Sequence, residues 1–251
     1  MNQDWNAGKY AEGFSFVYKY GHDVLNLIDA PEGSSVIDLG CGTGILTNAL
    51  SERGYNVIGI DASDDMLAQA RANFPAISFI HADAADFTVN APVNAVFSNA
   101  VLHWIDRDNQ PKMMKCVHEA LKTGGQFVFE MGGFRCAGMI HDMLADMFKK
   151  YGYDYVMPFY FPSIGEYASM LEAEGFSVRY ALLFDRPTEL AGNDGLYDWI
   201  NMFVKIPFMS VNASDRENIL RDTVDALRDR LFHDGKWYAD YVRLRMRALK
   251  V

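Results

Sequence analysis

Glycine at every second position, just after a short apolar run that contains an acid, is the feature that most limits how this chain folds. The run reads Ser35-Val36-Ile37-Asp38-Leu39-Gly40-Cys41-Gly42-Thr43-Gly44. Val36, Ile37 and Leu39 suit a short buried strand. Gly40, Gly42 and Gly44 allow a sharp turn and leave no Cβ between the backbone and a ligand. Thr43 is placed to cap a following helix at 44–53, whose apolar stripe is Ile45, Leu46, Ala49 and Leu50, with Gly54 as its stop. A strand, a glycine loop and a helix N-terminus in succession make a nucleotide site at the carboxyl edge of a parallel sheet.

The spacing narrows the nucleotide. A dinucleotide fingerprint runs G-x-G-x-x-G, with a pyrophosphate at the helix N-terminus. Here the pattern is G-x-G-x-G, and Asp38 precedes it by two residues. An acid at that strand end repels a pyrophosphate and suits a ligand bearing a positive amino group. A second apolar run, Asn56-Val57-Ile58-Gly59-Ile60, ends in Asp61, where a carboxylate can accept both hydroxyls of a ribose. With Asp38-Leu39-Gly40-Cys41-Gly42-Thr43-Gly44 and Asp61 in register, the chain resembles the class I S-adenosylmethionine-dependent methyltransferases. The resemblance implies S-adenosyl-L-methionine as cofactor. It assigns cofactor contacts to Asp38, Gly40, Cys41, Gly42, Gly44, Asp61 and Ala62, and the adenine amino group to Asp83-Ala84, with Asp86 as the competing acid. It brings the backbone at Asn99 and Ala100 past the sulfonium. Met66 is a candidate to pack on the adenine, although a helical methionine more often belongs to the core.

The 251 residues suffice for one large domain or one domain with an added lid, and half of them are apolar, enough for a sizeable core. A net charge of −10 argues against a general nucleic-acid binder, which needs a basic face to release counterions. Cys41, Cys116 and Cys136 are scattered and form no C-x-x-C pair, so neither a metal site nor a disulfide framework is expected, and a reducing cytoplasm is the simplest home. No signal peptide is legible at Met1–Trp5, and no apolar run approaches the ~20 residues of a membrane span. The expected partner is a small-molecule methyl acceptor, with no nucleic acid and no membrane.

Along the chain, residues 9–29 read as a helical arm. Strands at 35–40, 56–60, 77–80, 93–98 and 126–131 alternate with helices at 44–53, 63–73 and 109–121, which predicts a doubly wound, mostly parallel sheet. Helices follow at 139–151 and 163–173, the latter with Ser163 and Glu166 as a capping box, and a strand spans 176–183. Residues 188–233 carry two or three helices. Val242, Leu244, Met246 and Ala248 then alternate with Arg243, Arg245 and Arg247, the period of a strand. The resemblance makes this last strand antiparallel beside the fifth, in a seven-stranded Rossmann-like sheet. It divides the chain into an N-terminal arm (1–32), a cofactor-binding domain (33–187 plus 236–251) and a helical lid over the substrate (188–235). Trp5, the run Ser98-Asn99-Ala100-Val101-Leu102-His103-Trp104-Ile105, Phe184-Asp185-Arg186-Pro187 and Asp240-Tyr241-Val242-Arg243 together resemble the trans-aconitate methyltransferase branch.

That branch implies methylation of a small carboxylic acid on oxygen. Carbon methylation of a quinone or similar ring is the alternative the aromatic residues suit, and a binding protein that has lost catalysis is the rival outside the enzymes. His103 stands either near the transferred methyl, as a base or a donor, or in a structural role. Trp104, Arg135, Tyr160 and Arg243 are candidate substrate residues, because arginine holds carboxylates bidentately. A row of arginines on a strand is more often a solvated or salt-bridged face. Trp5 and Tyr10 are candidates to fold over the sulfonium by a cation–π contact.

Overall fold

The computed structural model describes residues 16–251. Trp5 and Tyr10, and residues 9–15 of the arm expected at 9–29, lie outside the described residues; within them the arm is helix α1 (Phe16–Leu25). Alternating strands and helices follow: β1 (Ser35–Leu39), α2 (Ile45–Glu52), β2 (Asn56–Asp61), α3 (Asp64–Asn73), β3 (Ser78–His81), β4 (Val93–Asn99), α4 (Gln110–Ala120) and β5 (Leu121–Gly132). The C-terminal part holds α5 (Gly138–Lys150), α6 (Ile164–Ala173), β6 (Phe176–Leu190), α7 (Gly195–Phe203), α8 (Ala213–Leu231), β7 (Phe232–His233) and β8 (Lys236–Lys250).

The sheet runs β3-β2-β1-β4-β5-β8-β6, with β7 attached to β8. β1 to β5 are parallel, and β8 enters antiparallel between β5 and β6, beside the fifth strand as the resemblance implies. The sheet has eight strands among the described residues, where seven were expected. The eighth is the two-residue β7, joined to β8 by Asp234-Gly235, both with positive φ. That pair closes a two-residue hairpin of the kind Asp-Gly favours.

Two apolar layers cover the sheet. On one face Ile37, Leu39, Val96, Phe127 and Phe129 meet Met113, Met114 and Val117 of α4 and Tyr167 and Leu171 of α6. On the other, Val36, Ala95, Phe97 and Val128 meet Val24 and Leu25 of α1 and Leu46 and Leu50 of α2. Successive residues of β1 thus serve opposite faces, as a strand demands. Asp38 shares the parity of Val36, so it lies on the α2 side, where the Thr47 hydroxyl donates to it at 2.7 Å.

Helix caps follow the sequence in part. Ser63 accepts from the Met66 amide at 3.4 Å, and Ser163 from the Glu166 amide at 3.2 Å. The Glu166 carboxylate turns instead to Arg107, at 3.0 Å. Thr43 is not the cap of α2: Gly44 takes that position in a left-handed conformation, with no side-chain cap bond.

β6 runs past its expected end at residue 183 to Leu190, because it pairs with β8 over its whole length, from Phe176↔Lys250 to Leu190↔Trp237. Pro187 is tolerated since β6 is an edge strand. The far end of this ribbon carries a second core. Leu190, Trp237, Ala239 and Tyr241 pack there with Ile140, Leu144 and Phe148 of α5, Trp199 and Ile200 of α7, and Ile219, Leu220 and Leu227 of α8.

Candidate active site

The carboxyl ends of β1, β2 and β4 open into a cavity of about 420 Å³. Asp38, Gly40, Cys41, Gly42, Asp61, Ala62, Met66, Asp83, Ala84, Asn99 and Ala100 all line it, as does Asp86. Gly44 does not: it packs toward Phe74 and Phe79, where a Cβ would collide with the latter's ring. Gly42 has positive φ, and a Cβ built there would meet nothing within 4 Å. Its amide donates to Asp61 Oδ2 at 2.8 Å, while the Ser63 amide donates to Oδ1 at 2.8 Å. The glycine loop and the end of β2 are therefore tied through the Asp61 carboxylate, whose oxygens retain lone pairs for a ligand's hydroxyls.

The two acids are not equivalent. Burial pushes the Asp38 carboxyl up to about 7, the Thr47 bond opposing and nearby Asp61 adding to the rise. Asp61 is also raised by burial, but the Ser63, Gly42 and Ala62 amides hold it back. A cation placed beside Asp38 replaces the solvation lost on burial, so the donor set fits an ammonium at Asp38 and hydroxyls at Asp61. Asp83 Oδ1 accepts from the Ala85 amide at 2.8 Å, and both Asp83 and Asp86 face the cavity.

Past β4 the backbone is strained. Ala100 has φ 60°, held by its amide's bond to the Glu130 carbonyl at 2.8 Å. Residues Leu102–Trp104 then form a short 3₁₀ turn. Buried Gln110 fixes it by donating to the carbonyls of Leu102 and Ile105, each at 2.8 Å, and accepts in turn from Tyr167 Oη at 2.8 Å. The turn sets His103 and Trp104 on the wall of a second, smaller cavity of about 50 Å³. Ala100 and Trp104 line both cavities.

The smaller cavity is lined mainly by aromatic side chains, with one guanidinium and one imidazole. Its wall comprises Cys136, Ala137, Phe159, Phe161, Trp199, Phe203, Tyr241 and Arg243 together with Ala100, His103 and Trp104. Arg243 is 7% exposed and sits over the Tyr241 ring, 4.4 Å from its centroid. Its strand neighbours are paired: Arg245 reaches buried Glu130 at 2.7 Å, alongside Arg186, and Arg247 reaches Asp29 at 4.0 Å. The arginine row is thus mostly buried and salt-bridged, and among the described residues Arg243 has no carboxylate partner. Burial, with the Arg243 charge second, pushes His103 down to about 3. The Gly132 amide donates to its Nδ1 at 3.3 Å. His103 is therefore neutral, with its proton on Nε2.

Two other candidates stand outside both cavities. Arg135 pairs with Asp142 at 2.7 Å and is half-exposed. Tyr160 gives its amide to the His103 carbonyl at 3.0 Å, while its hydroxyl points to Met170 Sδ at 3.4 Å. Phe159, Phe161, Trp199 and Phe203 were not singled out from sequence, and Tyr241 entered only within the run Asp240-Tyr241-Val242-Arg243. Among the described residues no group of three or more His, Cys, Asp or Glu is placed to hold a metal, and no helix is long and apolar enough to cross a membrane.

Residues 36–125 match the model of a family described as a methyltransferase domain. The chain is 36% identical to an uncharacterized methyltransferase of Schizosaccharomyces pombe, in an alignment that covers 98% of each. It is 34% identical over 130 residues to the trans-aconitate 2-methyltransferase of Rhizobium rhizogenes, which takes in 51% of this chain and 50% of that one. Among solved structures, an S-adenosylmethionine-dependent methyltransferase from Mesorhizobium loti superposes with a TM-score of 0.54 at 18% identity, covering 91% of this chain and 96% of that one. A Haemonchus contortus phosphoethanolamine N-methyltransferase, solved with S-adenosylhomocysteine, gives 0.57 at 17% identity, covering 92% of this chain and 52% of that one. These two likenesses are of fold. The chain belongs to the S-adenosylmethionine-dependent methyltransferases.

Proposed function

We propose that this methyltransferase transfers a methyl group to a carboxylate oxygen of a small acid. The observation that carries the reading is Arg243, a buried guanidinium without a carboxylate partner among the described residues, in a cavity that shares Ala100 and Trp104 with the cofactor cavity. A buried charge is costly unless paired, and a carboxylate is the geometric match for a guanidinium. The trans-aconitate relatives, aligned over about half their length, bear names consistent with an acid acceptor.

Bound in this cavity, S-adenosylmethionine would supply an activated methyl on a sulfonium, a carbon open to displacement by a carboxylate oxygen with neutral thioether as the leaving group. No proton has to leave a carboxylate, so no base is required. Asp38 holds the amino group of the cofactor, and Asp61 the ribose hydroxyls. Arg243 orients the acid, and the aromatic wall excludes water. His103, held near 3, is too weak a base for the carbon or phenol alternatives.

Helices α7 and α8, within 188–235, act as the cover of the acceptor site. Trp199 and Phe203 of α7 line it. A panel of acids, phenols and quinones incubated with methyl-labelled donor tests the reading. Label is expected in acids. Transfer confined to phenols or ring carbons would overturn it.

A further inference from the structure

The acceptor cavity is specific about charge as well as chemistry. Resting on the carboxylate reading above, we infer that the substrate is a compact monocarboxylic acid with an apolar body, held at its single carboxylate by Arg243 and the Nε2–H of His103, and that di- and tricarboxylates are excluded.

Three observations carry this. First, the cavity holds one charge among the described residues. Arg186 and Arg245 share Glu130, and Arg135 is paired with Asp142 outside the cavity. Lys112 lines the other cavity. A second carboxylate in the small cavity would have no counter-charge among the described residues, and an unpaired buried carboxylate is strongly disfavoured.

Second, His103 and Arg243 bring donors to the same cavity wall. His103 has its Nδ1 committed to the Gly132 amide, which leaves Nε2–H as its only free polar group. A neutral imidazole donor and a guanidinium complement one carboxylate, and neither accepts a proton near neutrality. The Tyr241 hydroxyl accepts from Trp199 Nε1 at 2.5 Å, so its oxygen is engaged within the wall.

Third, the rest of the wall is dominated by aromatic rings, with Ala100, Cys136 and Ala137 between them. Trp104 meets Phe159 edge-on at 4.7 Å, and Phe159 stacks on Phe161 at 5.3 Å. Trp199 packs on Phe203 at 5.5 Å. Such a wall gives an apolar body the contact area that a polar tricarboxylate cannot use. The small cavity, of about 50 Å³, takes the carboxylate end of a compact acid, whose body extends along Ala100 and Trp104, the wall shared with the larger cavity.

The protein loaded with S-adenosylhomocysteine is titrated calorimetrically with phenylacetate, isovalerate, phenylacetamide and trans-aconitate, and turnover with S-adenosylmethionine is measured on the same acids. The monocarboxylates are expected to bind at least ~10-fold more tightly than both the amide and trans-aconitate, and to be methylated. In Arg243→Gln the preference for acid over amide should vanish while affinity for S-adenosylhomocysteine stays unchanged. If that variant does not fold, the acid–amide comparison in the native protein reads the same charge requirement. Methylation of trans-aconitate at or above the rate of the monocarboxylates would overturn this inference and leave the carboxylate reading intact. No methyl ester from any acid would overturn the carboxylate reading itself.

Discussion

The two cavities of this enzyme share Ala100 and Trp104 yet are built in opposite ways. The cofactor cavity is made of short contiguous runs at the ends of neighbouring parallel strands, and much of its chemistry is backbone: the Gly42 and Ser63 amides, the left-handed glycines and the strained Ala100. The acceptor cavity is made of side chains gathered from residues 100–104, 136–137, 159–161, 199–203 and 241–243. Its register is set by the long antiparallel pairing of β6 with β8, from Phe176↔Lys250 to Leu190↔Trp237, not by any local motif. One site is built from local sequence patterns and the other from residues far apart in the chain, and the variants below separate them.

The largest separation is expected from Arg243→Gln. Truncating one member of a buried charge pair costs ~2–5 kcal/mol, so kcat/KM for the acid should fall by ~30- to 4,000-fold. Cofactor affinity, read by calorimetry, should move by no more than about twofold. A comparable loss of cofactor affinity would merge the two sites into one.

Asp61→Ala should do the reverse. The ribose loses its charged acceptor, which weakens cofactor binding by ~1–3 kcal/mol. Unchanged affinity in a folded variant would place the ribose elsewhere.

Asp38 adds a dependence on pH. Its carboxyl titrates near 7, well above the ordinary 3.8, so below pH 7 a cationic amino group must displace a proton and affinity should fall, by up to ~tenfold per unit. The same shift has a stability consequence of opposite sense. A raised folded-state value favours the native state while both forms hold the proton, below about 4, and that contribution is lost as pH rises through 7. Asp38→Asn should therefore melt higher than the native protein at pH 8, by a margin that shrinks toward pH 4, while binding cofactor poorly and with no pH dependence. Equal melting temperatures at pH 8 would contradict the buried, raised carboxyl.

The smallest effect is expected at His103. As a neutral donor its removal in His103→Ala should lower kcat/KM by ~10-fold, with partial rescue in His103→Gln and no change in the pH profile between 6 and 9. Loss of a pH-rate limb in the variant would restore the base reading.

Legibility in the sequence followed the same division. The glycine loop, Asp38, Asp61 and the alternation of strands and helices could be read directly, because each is a local pattern with a local physical cause. The 242–248 alternation gave the last strand and its arginine row. Which arginine lacks a partner depends on Glu130, over a hundred residues earlier in the chain, and on the pairing Gly132↔Arg243 beside Glu130↔Arg245. The extension of β6 through Pro187 was hidden because proline reads as a breaker unless the strand is known to be an edge. The Asp234-Gly235 hairpin was legible and passed over, since two residues before it make too short a strand to register as a period. Arg135 and Tyr160 had the right chemistry, but position in space sent one to Asp142 and the other to Met170.

The central claim is that the methyl group ends on a carboxylate oxygen beside Arg243. Alkali tests it most directly. Product formed from methyl-labelled donor and a monocarboxylic acid is treated with mild base, and volatile labelled methanol is collected. The account predicts that essentially all product label is released as methanol, and that Arg243→Gln yields little product to hydrolyse. Label that survives base, as a methyl on carbon, nitrogen or a phenol oxygen would, contradicts it.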